Sequence, residues 1–375
     1  MIKNKLKIFI IAILLINIYM ADNIIAQPIN NIFLNISAEG AVLIDVNSGR
    51  ILYEKNSDKK MRIASLTKIM TAIIAIENGK MGDVVTTSDN AFGTEGSSIY
   101  LKKGEKLTLN DMLYGLMLRS GNDAAVAISE HIGGSIEGFS FLMNRKAAYI
   151  GMTNSHFTNP HGLDNDNHYS TPFDIGILTA YALKNQVFKE IVNTKLKTVP
   201  VEGEDWVRKW VNKNKLLYLY EWADGVKTGY TKLAKRCLAS SATKDGLQLA
   251  CVTLNAPDDW NDHKKMFEYG FNTYKQKVLV EQGDIVEEIT IEGDKYEIIS
   301  NSQFIYPLKN NEDILIKRNA IIYENLSKFN FNNDIGKLEF YLDNIYIGSV
   351  TLKIKENDKH SKNIIEKWRE IWEGE

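Results

Sequence analysis

Ser65-Leu66-Thr67-Lys68 stands at the head of an apolar run, Ile69-Met70-Thr71-Ala72-Ile73-Ile74-Ala75-Ile76. With Ile63, Ala64 and Leu66 included, the run is apolar around most of a helical circumference, the pattern of a helix inside a domain. On a helix, residues i and i+3 share a face with Cβ atoms about 5–6 Å apart, so Lys68 can reach the Ser65 hydroxyl. A serine hydroxyl becomes a useful nucleophile when a neighbouring base takes its proton. A lysine can be that base only where burial or another cation keeps it neutral. The apolar flanks supply the burial. Asn78-Gly79 is expected to close the helix with a glycine cap. Alone the tetrapeptide is weak evidence, because serine and lysine are common surface residues.

Two further segments change its weight. Ser120-Gly121-Asn122 follows the apolar residues 112–118 and precedes a helical pattern over 124–132, which places it in a tight turn between helices. Such a turn can present one hydroxyl and one amide to a cleft. Lys227-Thr228-Gly229 follows Gly225-Val226 and precedes Cys237-Leu238-Ala239 and Leu247-Gln248-Leu249-Ala250-Cys251-Val252-Thr253-Leu254. The last two read as a hairpin turned at Asp245-Gly246, so the second lysine lies on a sheet strand. Each triplet has a plain structural explanation by itself, as a turn or a solvated strand end. In this order, on helix, turn and strand, they form the S-x-x-K, S-x-N, K-T-G set of penicillin-binding proteins and class A β-lactamases.

Beyond these motifs, Gly96-Ser97-Ser98-Ile99-Tyr100-Leu101-Lys102, Leu116-Met117-Leu118-Arg119-Ser120-Gly121-Asn122-Asp123-Ala124-Ala125, Met143-Asn144-Arg145-Lys146-Ala147 and Phe157-Thr158-Asn159-Pro160-His161-Gly162-Leu163 extend the likeness over about 38–274. The chain resembles the serine D-alanyl-D-alanine carboxypeptidases, the low-molecular-mass penicillin-binding proteins. Cys237 and the stretch 255–263 resemble the sporulation-associated type of Gram-positive bacteria. The resemblance implies an α/β (α+β) transpeptidase fold of the penicillin-binding and β-lactamase type, with helices packed on an antiparallel sheet, followed by a small C-terminal β-sandwich domain. Peptidoglycan stem peptides are the implied substrate and β-lactams the implied covalent inhibitors.

The roles follow residue by residue. Ser65 would attack the carbonyl between the last two D-alanines and Lys68 would take its proton. Ser120 and Lys227 would relay the proton to the leaving amine, and the Lys227 charge would help keep Lys68 neutral. Asn122 would hold the substrate amide and Thr228 the terminal carboxylate. By the same resemblance the backbone N–H groups of Ser65 and Tyr230 form the oxyanion hole, and the strand through Gly229 takes the peptide as an added strand. Where some relatives carry an arginine near the substrate carboxylate, Asn212-Lys213-Asn214 carries Lys213, which cannot make a bidentate clamp. His161 is read as structural.

Length and composition fit the resemblance. The chain has 375 residues, 44% hydrophobic and 25% charged, which is enough for two domains. A net charge of −2 gives no electrostatic footprint for nucleic acid. Lys3, Lys5 and Lys7 precede an apolar run at 8–20, and Ala26 is the best small residue for cleavage, so 1–26 is expected to be a signal peptide. The run is shorter than the roughly 20 residues that span hydrocarbon. Export places the enzyme at the outer face of the cytoplasmic membrane or the wall, with the forespore envelope as a narrower candidate. Cys237 and Cys251 are expected to be two buried free thiols, since opposed hairpin positions sit wider than a disulfide wants. The six histidines show no ligand spacing, so neither metal nor cofactor is expected.

The expected peptidase domain spans 30–275. Beyond it, short alternating segments at 278–286, 288–291, 296–299, 314–317, 337–342 and 346–353 read as a β-sandwich domain over 278–355, a scaffold without chemistry of its own. In the tail at 359–375, Ile364, Ile365, Trp368, Ile371 and Trp372 form one helical stripe. It suits either a membrane surface or packing on the β domain. Two other functions share parts of this pattern. A class A-like β-lactamase would need a deacylating glutamate, and no E-x-x-L-N occurs between Asn159 and Lys227. A silent wall-binding protein would not require the intact Ser65, Lys68, Ser120, Asn122 and Lys227 set, and a β-lactam sensor would be expected to carry a transmembrane signalling segment.

Overall fold

The structure is a computed structural model that describes residues 34–201, 203–291, 294–323 and 334–355. The expected signal peptide at 1–26 and the tail stripe at 359–375 lie outside the described residues.

Five antiparallel strands form the central sheet: β1 Gly40–Asp45, β2 Ile51–Lys55, β3 Ala223–Thr231, β4 Lys235–Lys244 and β5 Leu247–Leu254, in the order β2-β1-β5-β4-β3. Every residue of β1 and β5 is buried, as befits strands covered on both faces. Asp245 and Gly246 both take positive φ, at 50° and 81°, which is the two-residue turn that joins β4 to β5. The hairpin read from sequence is therefore present.

Helices cover both faces. Helix α1 Thr67–Asn78 is the central one. It is followed by α2 Leu109–Tyr114, α3 Asn122–Gly133, α4 Ile136–Tyr149 and α5 Pro172–Leu183, while α6 Asp259–Thr273 comes after β5. Gly176 of α5 lies against Val42 and Ile44, and Gly270 of α6 lies against Leu249 and Leu43. Alternate residues of β1 point to opposite faces, so α5 and α6 sandwich the sheet between them. Nine residues of α1, Lys68 among them, are buried, and Ile69, Met70, Ile73 and Ile74 join the main apolar core.

Helix α1 ends at Gly79 as expected, but for a different reason. Gly79 has φ −111°, which any residue can adopt, and a Cβ there would meet Leu109 at 2.5 Å and Ile132 at 2.9 Å. Close approach of neighbouring side chains, not a left-handed cap, calls for glycine.

After α6 the chain turns to strands. β6 Tyr274–Val280 pairs with β9 Phe304–Lys309, and β7 Ile285–Ile291, β8 Asp294–Ser300, β10 Ile316–Ile322, β11 Gly336–Leu342 and β12 Ile345–Ile354 form a sheet in the order β7-β8-β12-β11-β10. Leu279, Tyr306 and Leu308 of the ribbon pack with Ile298, Phe340, Val350 and Leu352 of the sheet in one apolar cluster. The single strand expected over 278–286 is two strands, broken by a turn with Gly283 at φ 89°. β9 was not anticipated. Its Pro307 cannot donate to a ladder, and it is tolerated because the strand is one of a two-stranded ribbon.

Candidate active site

Ser65 sits in a single 3-10 turn, Ala64–Leu66, that runs directly into α1. The turn starts from a sterically costly backbone: Ala64 has φ +47°, a region L-residues rarely occupy. Its carbonyl accepts from the Thr67 hydroxyl at 2.8 Å. Gly162, at φ +87°, lies so close that a Cβ would stand 1.9 Å from Ala64 O, so only glycine fits this loop against the turn.

The i, i+3 spacing does what it implies. Lys68 Nζ lies 3.0 Å from Ser65 Oγ, and it donates to Asn122 Oδ1 and to His161 O, each at 2.7 Å. Lys68 is fully buried. Burial first, then the nearby Lys227 and Lys213 charges, push its pKa well below the ordinary lysine range. A neutral amine has two N–H groups. The two carbonyl-type acceptors take both, which leaves the lone pair for the Ser65 hydroxyl.

Ser120 closes a π-helical turn, Gly115–Arg119, and takes the left-handed conformation at φ +65° before α3 begins. Asn122 is the first residue of α3. Its Nδ2 donates to Glu95 O at 2.5 Å and its N to Ser97 O at 2.7 Å, which holds the 95–101 loop over the site. Asp123 completes the attachment by accepting from Ser98 Oγ at 2.6 Å and from the Ile99 and Leu101 amides at 3.1 Å.

Lys227, Thr228, Gly229 and Tyr230 lie on β3, the sheet edge beside Ser65. A Cβ at Gly229 would stand 3.2 Å from Ser65 N, so the strand backbone passes against the nucleophile turn. Lys227 is buried, and its pKa is pushed down to about 7, by burial first and the Lys213 charge second. Its Nζ donates to Thr228 O at 2.7 Å. Lys213 donates to Ser97 Oγ at 3.2 Å.

A cleft of about 320 Å³ is lined by Ser65, Ser120, Lys213, Thr228, Gly229 and Tyr230, six of the nine residues singled out from sequence. Lys68 and Asn122 stand directly behind Ser65. The same cleft is lined by Ser97, Arg236, Asp259 and Trp260, to which the sequence reading gave no role. Ser97 lies in a quoted motif. Arg236 is legible only through register, which sets it opposite Tyr230 across the β3–β4 pair. There it contacts Asp259 and lies 5.8 Å from the centre of the Trp260 ring.

Cys237 and Cys251 are free and buried, with Cys251 opposite Ser240 in the hairpin, and burial pushes the Cys237 thiol up to about 12. His161 meets Lys68 through its backbone carbonyl. Its ring accepts from the Leu163 amide at 3.2 Å, and burial holds its pKa down at about 3.

The peptidase S11 family, described as D-alanyl-D-alanine carboxypeptidase, matches residues 24–258. The chain belongs to this family. The penicillin-binding protein 5 C-terminal domain matches residues 274–360, so the carboxypeptidase region is followed by a C-terminal β domain of that kind. D-alanyl-D-alanine carboxypeptidase DacF of Bacillus subtilis (strain 168) is 35% identical over 342 residues, 86% of this chain and 86% of the relative. DacA of Haemophilus influenzae is 31% identical over 343 residues, 85% of this chain and 84% of the relative. Penicillin-binding protein 5 from Haemophilus influenzae superposes with a TM-score of 0.72 at 28% identity, over 86% of this carboxypeptidase-family chain and 98% of the other. A Streptomyces K15 DD-transpeptidase superposes at 0.61 and 33% identity, over 64% of this chain and 99% of that one.

Proposed function

We propose that the protein is a serine-type D-alanyl-D-alanine carboxypeptidase that removes the terminal D-alanine from peptidoglycan stem peptides through an acyl-enzyme on Ser65. The observation that carries this reading is the buried Lys68 amine. Its Nζ lies 3.0 Å from Ser65 Oγ and 2.7 Å from both Asn122 Oδ1 and His161 O, so in the neutral amine the two N–H groups serve the carbonyl-type acceptors and the lone pair is left for Ser65.

In the acylation step Ser65 Oγ bonds to the penultimate D-alanine carbonyl carbon while its proton passes to Lys68. The developing oxyanion is held by the Ser65 and Tyr230 N–H groups, the strongest single stabilisation available to acyl transfer. The C–N bond then breaks, and D-alanine leaves with a proton delivered through Ser120 and Lys227. Water reverses the sequence and frees the shortened peptide. Thr228, with Lys213 and Lys227, holds the terminal carboxylate, and Asn122 holds the substrate amide. β-Lactams enter the same path and acylate Ser65.

The family supports a site of action outside the cytoplasm. Removal of 1–26 on export, a peptidase domain at 30–275, a scaffold at 278–355 and a membrane-surface helix at 359–375 complete the proposed organisation. A role in sporulation within it rests on the resemblance of Cys237 and the stretch 255–263 to the sporulation-associated type. Among the described residues no helix is long and apolar enough to cross a membrane.

The test is incubation of the purified protein with a stem pentapeptide and, separately, with penicillin, following free D-alanine and intact protein mass. D-alanine release with a long-lived penicilloyl adduct is expected. Rapid penicillin turnover would make the protein a β-lactamase, and an adduct without D-alanine release would make it a sensor.

A further inference from the structure

We propose that His168 is a positioning residue for acylation: acting through the Thr67 hydroxyl, it fixes the Ala64–Ser65 peptide plane and so aims the Ser65 N–H at the oxyanion. The inference rests on the acyl-enzyme reading of Ser65 and adds a component that the three motifs do not contain.

The argument is one of hydrogen-bond direction. The Thr158 amide donates to His168 Nδ1 at 3.1 Å, so Nδ1 is an acceptor and the ring proton is on Nε2. Nε2 lies 2.8 Å from Thr67 Oγ1 and donates to it. The Thr67 hydroxyl proton is then free for Ala64 O, also at 2.8 Å, which can only accept. Each member of the chain has one possible orientation, and reversing any of them would set two donors face to face. Thr67 and His168 are buried, so water does not compete for these bonds.

The far end of the chain is the peptide unit that carries the proposed oxyanion donor. In a trans peptide the C=O and N–H point in opposite directions. Ala64 O accepts from both the Thr67 amide and the Thr67 hydroxyl, and Gly162 packs against it on the loop side. Ser65 N therefore faces the other way, toward Gly229 of the K-T-G strand. Ala64 would not hold φ +47° without such restraint, because that backbone is costly for a residue with a Cβ. Bonding at the carbonyl also polarises the unit and makes its N–H a better donor. The same loop is tied to α1 by Thr71 Oγ1 donating to Pro160 O at 2.6 Å, and by Lys68 donating to His161 O. Burial holds the His168 pKa down at about 4, consistent with a neutral ring at working pH.

The test separates binding from chemistry in penicillin acylation of the full-length protein. Thr67→Val keeps the side-chain shape and removes the hydroxyl; Thr67→Ser keeps the hydroxyl. Deleting a whole oxyanion donor costs roughly 10²–10³ in rate, so misaiming one is expected to cost about 10- to 100-fold. Thr67→Val and His168→Ala should lose this in the limiting acylation rate, with the preceding binding constant nearly unchanged. Thr67→Ser should recover most of it. An unchanged limiting rate in Thr67→Val overturns the inference. So does an equal loss in Thr67→Val and Thr67→Ser, which would mean that only packing matters there. If wild-type protein forms no adduct at Ser65, the acyl-enzyme reading fails and this inference with it; an adduct at Ser65 with a normal Thr67→Val variant sinks this inference alone.

Discussion

The region up to Thr273 and the β region from Tyr274 onward fold by opposite policies toward polar side chains. The first buries Lys68, Lys227, Asn122, Asp123, Asp259, His168 and His263. The second, among its described residues, buries only Ser300 and Glu339 among its charged, hydroxyl and amide side chains, and its core is an apolar cluster that includes Phe340. An ionisable group taken out of water costs stability or changes its protonation state. The first region accepts that cost where it yields chemistry: a neutral lysine beside a serine. The β region gains nothing from it and follows the ordinary rule of an apolar interior. Arg50 joins the two, bonded to both Glu312 oxygens at 2.8 and 2.7 Å and lying near the rings of Tyr274 and Tyr306 at 5.1 and 5.3 Å. Neither Arg50 nor Glu312 lines the Ser65 cleft.

The contrast can be broken most severely at Ser65. Ser65→Ala should abolish both the penicillin adduct and D-alanine release, read by intact mass and an amino-acid assay. An adduct mapping to Ser120 would move the nucleophile. Next comes Lys68→Arg, which keeps a cation but cannot lose its proton in a protein. Acylation should fall by about 10²–10⁴, the usual contribution of a general base, with little change in circular dichroism. Near-normal acylation would shift the base role to Ser120 and Lys227. Thr228→Ala should weaken peptides with a free C-terminal carboxylate by about 10- to 100-fold, as expected for a bond to a charged group, and amidated peptides far less. Equal losses would remove the carboxylate from Thr228. Phe340→Ala should leave the acylation rate as it is while costing the β region about 3–5 kcal/mol in calorimetric stability. A change in acylation would mean that the β region takes part in the site.

The parts of the site that were legible are those where the chemistry needs a fixed spacing on a regular element. Ser65 and Lys68 meet because the 3-10 turn that holds Ser65 runs directly into α1 and keeps i and i+3 on one side, and Lys227 to Gly229 lie on a strand because the hairpin after them is plain. Illegible were contacts set by irregular backbone. Neither the left-handed Ser120 nor the strained Ala64 has a sequence signature, since neither is a glycine. Arg236 and Trp260 reach the cleft through strand register and the start of α6, and no spacing rule links them to Ser65. His168 lies 101 residues from Thr67, and only the folded loop brings them together. In the β region alternation exposed most strands, but the Gly283 turn merged two of them and Pro307 hid a third.

The central claim is that Lys68 is neutral when Ser65 attacks. The most direct check is the limiting rate of penicillin acylation as a function of pH. Burial and the neighbouring lysines lower the Lys68 pKa, so the rate should rise with pH only up to that lowered value, well below pH 10, and should then fall rather than climb as Lys227, whose pKa is pushed down to about 7, loses its charge. A rate that instead climbs through the ordinary lysine pKa near 10.4 would show that Lys68 keeps its proton in the folded protein, and would contradict its role as the base.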